Sequence, residues 1–101
     1  MGELAAAVED LERLVRRLRS LSPHALQKRR EPIQDALAGL VALAATVEQR
    51  RLDVPVLADH AYADAIAVIG GDVLDALALQ ASPRSLGAVR HTLTMALSAT
   101  R

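Results

Sequence analysis

Ala36-Leu37-Ala38-Gly39-Leu40-Val41-Ala42-Leu43-Ala44-Ala45-Thr46-Val47 runs for twelve residues without a charged side chain. As a helix it reaches about 18 Å, short of the roughly 30 Å hydrocarbon core of a bilayer, so it predicts a buried helix of a globular domain and no membrane span. Leu26, Ile33, Leu37, Leu40, Ala44 and Val47 fall on one helical seam. Opposite that seam stand Ala38, Gly39, Ala42, Ala45 and Thr46, at positions where a surface helix ordinarily carries Glu, Lys and Arg. A helix that is apolar all round is buried all round. Either its own chain covers it or it is the seam of a dimer. The small residues permit close approach of another helix backbone, and the dimer is the expectation.

Working outward, the same period recurs in three further segments. Over residues 2–20, Leu4, Val8, Leu11, Val15 and Leu18 form a heptad seam widened by Ala7, Leu14 and Leu21. Acids come early (Glu3, Glu9, Asp10, Glu12) and bases late (Arg13, Arg16, Arg17, Arg19), as the helix dipole favours. Ser22-Pro23 is a helix start, a capping hydroxyl followed by a proline at the first helical position. The second helix runs from there to about residue 51. Pro32 inside it removes a backbone donor and crowds the preceding turn, which predicts a kink near residues 29–31; a full break would serve the same chemistry. After a connector, Leu52-Asp53-Val54-Pro55, with Asp53 as its N-cap, the third helix spans about 54–81. Gly70-Gly71 lies in its middle, so it is either one helix or two, near 54–69 and 73–81. Ser82-Pro83 repeats the start signal, and the fourth helix runs to about 99 with Leu86, Val89, Leu93, Ala96 and Leu97 inward.

The chain has 101 residues, which is one domain over 1–101. Its apolar set is dominated by 20 Ala and 17 Leu, against 9 Val, 3 Ile, one Tyr and no Phe, Trp or Cys. This excludes a disulfide scaffold and a thiolate zinc site. It also excludes a stacking platform for single-stranded nucleic acid and argues against a sheet. The fold class expected is all-α, an antiparallel four-helix bundle. Twelve bases and twelve acids cancel, so bulk charge points to neither nucleic acid nor membrane. The start, Met1-Gly2-Glu3-Leu4, lacks the basic region and apolar run of a secretory signal, and the cytoplasm is the expected location.

Charge is segregated along the chain. From Arg13 to Arg30 there are seven bases and no acid, and from Leu52 to Pro83 five acids and no Lys or Arg. The basic segment could form a nucleic-acid patch, but Arg13, Arg16 and Arg17 lie opposite the apolar seam, and Glu9–Arg13 and Glu12–Arg16 are four-residue pairs in the favourable order. A solvated face is the reading preferred. The second candidate is the stripe of Asp59, His60, Asp64, Gly71 and Asp75. A His and an Asp four apart on a helix could share a metal or orient an imidazole as a base. A closed metal site needs about four ligands, so no metal or cofactor is expected there. Third, wheel arithmetic puts Asp72 inside the apolar arc, where a carboxylate needs a partner. Arg90 is the first choice and Arg30 the second; the reading preferred is that Asp72 caps a helix restarted after Gly70-Gly71, its side chain taken by backbone amides. A polar site of His60, Asp64, Asp72 and Arg90 would belong to a small enzyme or ligand-binding bundle. Tyr62, alone on a wide apolar arc, reads as core. Taken together these features favour a non-enzymatic association module, a homodimer or a subunit of a larger helical complex.

Overall fold

The computed structural model describes residues 2–80 and 82–101. Among them there is no strand: five α-helices and one short 3-10 turn make up the domain. They are α1 (Glu3–Ser20), α2 (Pro23–Lys28), α3 (Arg30–Glu48), the 3-10 turn (Asp59–Ala61), α4 (Tyr62–Leu79) and α5 (Pro83–Ala99). No helix among the described residues is long and apolar enough to cross a membrane. Both Ser-Pro starts form as the sequence predicts. The Ser22 hydroxyl accepts the Ala25 N–H at 3.1 Å and the Ser82 hydroxyl the Ser85 N–H at 3.3 Å, each with proline in the first turn.

The expected second helix is broken, not merely kinked. Arg29 leaves helical geometry (φ −106°, ψ 17°) and separates the six-residue α2 from α3. Pro32 explains the position: it has no N–H to give the Lys28 carbonyl and its ring crowds that group. Hydrogen bonding resumes at once, with the Ile33 N–H on the Arg29 carbonyl. The third helix also departs from expectation. It starts at Tyr62, not near 54, and Asp53 caps nothing. Residues 51–58 are irregular, as Pro55 favours, since it disfavours helix for Val54 and supplies no donor. At the other end of this connector Gln49 closes α3 in the left-handed region (φ 55°). Gly70-Gly71 does not interrupt α4. Ala81, expected as its last residue, lies outside the described residues.

Contacts fix the sense of each helix. Leu11 of α1 meets Gly70 of α4 while Arg19 meets Asp64, so these two run in opposite senses. Asp10 faces Arg90 and Arg17 reaches Leu97, so α1 and α5 run in the same sense. Gln34 reaches Tyr62, and Val41 and Ala44 line one hollow with Ile69 and Asp72, so α3 and α4 also run in the same sense. Each of α1 and α3 packs on both α4 and α5, and α1 makes no substantial contact with α3. The bundle therefore mixes opposed and same-sense neighbours, where uniformly antiparallel packing was expected. Its slab-like outline measures 39 × 32 × 17 Å.

The core is drawn from all four long helices: Ala7, Leu11, Leu14 and Leu18; Ile33, Leu37 and Leu40; Ile66 and Val73; Val89 and Leu93. Val8, on the expected α1 seam, is instead 38% exposed, because the buried stripe is centred on Ala7, Leu11, Leu14 and Leu18. In the third helix, where the sequence reads Leu57, Ala61, Tyr62, Ala65, Ile66, Val68, Ile69, Val73, Leu77 and Leu79 as a wide apolar arc, Val68 and Leu79 are exposed, because α4 buries Tyr62, Ala63, Ile66, Gly70, Val73, Leu74 and Leu77.

The two central glycines of α4 have different surroundings. A Cβ on Gly70 would stand 2.7 Å from Leu11 Cδ1, in the packed α1–α4 contact, whereas a Cβ on Gly71 would meet nothing within 4 Å. Gly70→Ala is expected to destabilise the fold by about 1–2 kcal/mol through overpacking. Gly71→Ala is expected to stabilise it by up to about 1 kcal/mol through helix propensity. Urea unfolding of the two variants reads the opposite signs.

Candidate functional site

His60 and Asp64 come together at the end of the bundle where α1 finishes and α4 begins. His60 belongs to the 3-10 turn and Asp64 to the first turn of α4. They line a hollow with Leu18, Leu21, Pro23, Leu26 and Ala63. Both carboxylates of this region are occupied by arginine. Arg19 Nη2 donates to Asp64 at 2.9 Å, and Arg30 grips Asp59 through two bonds of 2.7 and 2.8 Å. His60 itself is exposed. Among the described residues no group of three or more His, Asp or Glu side chains is placed to hold a metal ion.

Asp72 and Arg90 are elsewhere, and apart from each other. Asp72 is exposed and borders a hollow with Val41, Ala44, Leu52 and Ile69 on the α3 side of α4. The expectation of a carboxylate inside the apolar arc is not met. On the helical wheel Asp72 falls among Ala61, Ala65 and Leu79, which lie at the margin: Leu79 is exposed, Ala61 and Ala65 are half-buried, and the buried side of α4 is that of Ile66, Val73 and Leu77. Arg90 lies between α5 and α1, 3.8 Å from Asp10, with its Nε buried and unpartnered. Thus the four polar candidates occupy three separate places.

The pair that does form, Arg30 with Asp59, joins residues distant in sequence, and no local pattern announces it. Tyr62 is core, as expected, but its hydroxyl also has a task. It accepts the Leu57 N–H at 3.3 Å and the Gln34 amide at 3.2 Å, tying the end of the connector to α3. The basic segment is likewise largely engaged within the chain. Arg17 donates to the Leu97 carbonyl in the last turn of α5, where orphan carbonyls and the helix dipole favour a cation. Arg29 donates to the Arg101 carbonyl, Arg19 holds Asp64 and Arg30 holds Asp59.

The outer side of α3 is treated differently along its width. Gly39 sits under α5: a Cβ there would be 3.0 Å from the Thr92 methyl. Ala38 borders a hollow shared with residues 54–56 and Tyr62, so the returning connector covers that flank. Ala45 is half-buried, and Ala42 and Thr46 are exposed, with the Thr46 hydroxyl donating to the Ala42 carbonyl. Near the start of α3, beyond the contact of Gly39 with Thr92, α5 exposes Thr94, Met95, Ser98 and Ala99. A groove of about 320 Å³ lies between the two helices, lined by Pro32, Ala36, Thr92, Met95, Ala96 and Ala99 together with Asp35 and His91. Val56 on the connector is 92% exposed. Sequence reasoning found the α3 part of this surface but not the α5 part, although its signal was present: Arg90 is the only Asp, Glu, Lys or Arg from Ser85 to Thr100.

Compared with known protein families, curated proteins and solved structures, the chain matches none.

The Arg30–Asp59 clamp predicts an acid dependence. Hydrogen bonds from Arg30, then its charge and that of His60, hold the Asp59 carboxyl below its ordinary value of 3.8. A carboxylate with a lowered folded-state value adds stability that is fully present above the unfolded value and is lost as pH falls through the folded one. The melting temperature is expected to drop below about pH 4. Asp59→Asn should lower it at pH 7, with the difference from wild type closing as the pH falls. Thermal melts from neutral to strongly acidic buffer check this; a difference that stays constant would contradict it.

Proposed function

We propose that the chain is a non-enzymatic association module that pairs through the outer face of α3 and the adjoining part of α5, as a homodimer or as a subunit of a larger helical complex. The observation that carries this is the outward side of α3 beyond Asp35, where Ala42 and Thr46 are exposed, Ala45 is half-buried and no charged residue stands until Glu48; the groove that Met95 borders adjoins it toward the start of the helix. Monomeric helical proteins ordinarily carry charge at such outward positions, and its replacement by small residues favours close approach of another helix. Ala38, Gly39 and Ala45 form the half-buried floor of the same face. Asp72 and Arg90 stand apart from the hollow that His60 and Asp64 line, and the Asp59 and Asp64 carboxylates there are held by Arg30 and Arg19, which supports association over catalysis. The internal engagement of Arg17, Arg19, Arg29 and Arg30 leaves less positive charge available to nucleic acid.

Ala42→Glu is the test. In a monomer the new carboxylate would be exposed, and stability should change by within about 0.5 kcal/mol. In a dimer it would be desolvated among small apolar groups, weakening association by several kcal/mol. Light scattering at micromolar concentration is expected to give more than the monomer mass for wild type and a smaller mass for the variant, with circular dichroism showing that the variant keeps its helical content and any fall in melting temperature following the lost association. A wild-type monomer mass would remove the homodimer reading and leave the larger complex.

A further inference from the structure

The opposite face of the slab, where α1 packs on α4, carries an independent signal. Glu9, Glu12, Arg16 and Arg19 form one outward ridge on α1, acids in its first half and bases in its second, and all four are exposed. Among the described residues neither Glu9, Glu12, Arg13 nor Arg16 has an ion-pair partner, and of the ridge only Arg19 is paired, to Asp64. The order of charge is symmetric about residue 14: position 9 mirrors 19 and 12 mirrors 16. Two copies of α1 laid in opposite directions about a two-fold axis through residue 14 therefore bring Glu12 of each against Arg16 of the other, and Glu9 of each toward Arg19. A closed two-fold contact requires this self-complementarity.

Beside the ridge runs an apolar groove. Leu11, Val15 and Ala67 line it with Glu12, Arg16 and Arg19, and its volume is about 490 Å³. Val8 on α1, 38% exposed, stands beside the ridge. Gly71 on α4 leaves open space there. Apolar contact supplies affinity, and the charges set register and exclude wrong partners.

We propose that the α1–α4 face is a self-association surface on which a second copy of this chain docks by a two-fold contact, with Glu12 of each copy paired to Arg16 of the other. It is separate from the face assigned above and does not depend on what covers α3.

The test uses three exposed-residue variants of the full chain. Glu12→Arg places Arg against Arg across the axis, and Arg16→Glu places Glu against Glu. Each alone should weaken the contact roughly tenfold or more, as like charges across an interface do. Mixed in equal amounts they restore both pairs, because every Arg then faces a Glu, and a heterodimer should form with the wild-type strength. Ala42→Glu, which alters only the α3 face, should leave this contact intact. Sedimentation velocity over a concentration series reads the wild type, the three variants and the mixture, with dichroism melts confirming that each variant is folded. Self-association that neither single variant weakens would overturn the proposal. So would a mixture no more associated than its components, a complete loss of association in Ala42→Glu, or a wild-type chain that is monomeric throughout. Were one variant to misfold, the other alone, with wild type, still decides.

Discussion

Two consecutive helices that lie side by side and point the same way need a return path as long as themselves. This constraint governs the region around α3 and α4. The nineteen residues of α3 span about 28 Å. Ten residues, 49–58, lead back to the 3-10 turn, and extended chain of that length reaches about 33 Å. The connector has little slack, so it must run straight along α3. Gln49 turns it, residues 54–56 pass beside Ala38, and Tyr62 fixes its end by accepting from Leu57. The Arg30–Asp59 clamp then locks the start of α3 to the turn that opens α4. A connector of this kind leaves its hydrophobic residues with only one side to pack on, and Val54 and Val56 are exposed for that reason.

The other governing feature is the size of the core residues. With no Phe or Trp and with Ala the commonest residue, the helices must approach closely for their side chains to touch. Gly70 under Leu11 and Gly39 under Thr92 are the points where backbone spacing is set by the absence of a side chain. Thin cores of this sort bury less apolar area per residue, and burial between copies is a direct supplement. Both proposed faces would serve that end, one through lack of charge and the other through ordered charge.

What the sequence disclosed was local. Helical period, the two Ser-Pro starts and the position of the break before Pro32 depend on neighbours a few residues apart, and all three were legible. The sense in which helices pack was not, because it is set by how far a connector must travel. The end of the connector was misplaced for the same reason: Pro55 marks the irregular stretch, but nothing near it says that the chain stays extended to residue 58. Gly70-Gly71 read as a possible break, whereas the demand for Gly70 comes from Leu11 on another helix. The candidate polar site suffered most. A shift of the α4 arc by part of a turn moved Asp72 from core to solvent, and the partner of Arg30 proved to be Asp59.

The lack of contact between α1 and α3 bears on how the chain acquires its fold during synthesis. In a bundle built from successive hairpins each new helix finds the previous one waiting. Here α1 packs on α4 and α5, whose residues are made well after its own. The first half of the chain therefore emerges with its apolar stripes facing no complementary helix of its own, and the stripe of α1, from Ala7 to Leu18, stays uncovered until the second half has been released. Closing the domain then requires contacts of high sequence separation to form nearly together, a slower route than sequential hairpin assembly. Until that moment the nascent chain presents the kind of surface that holdase chaperones recognise.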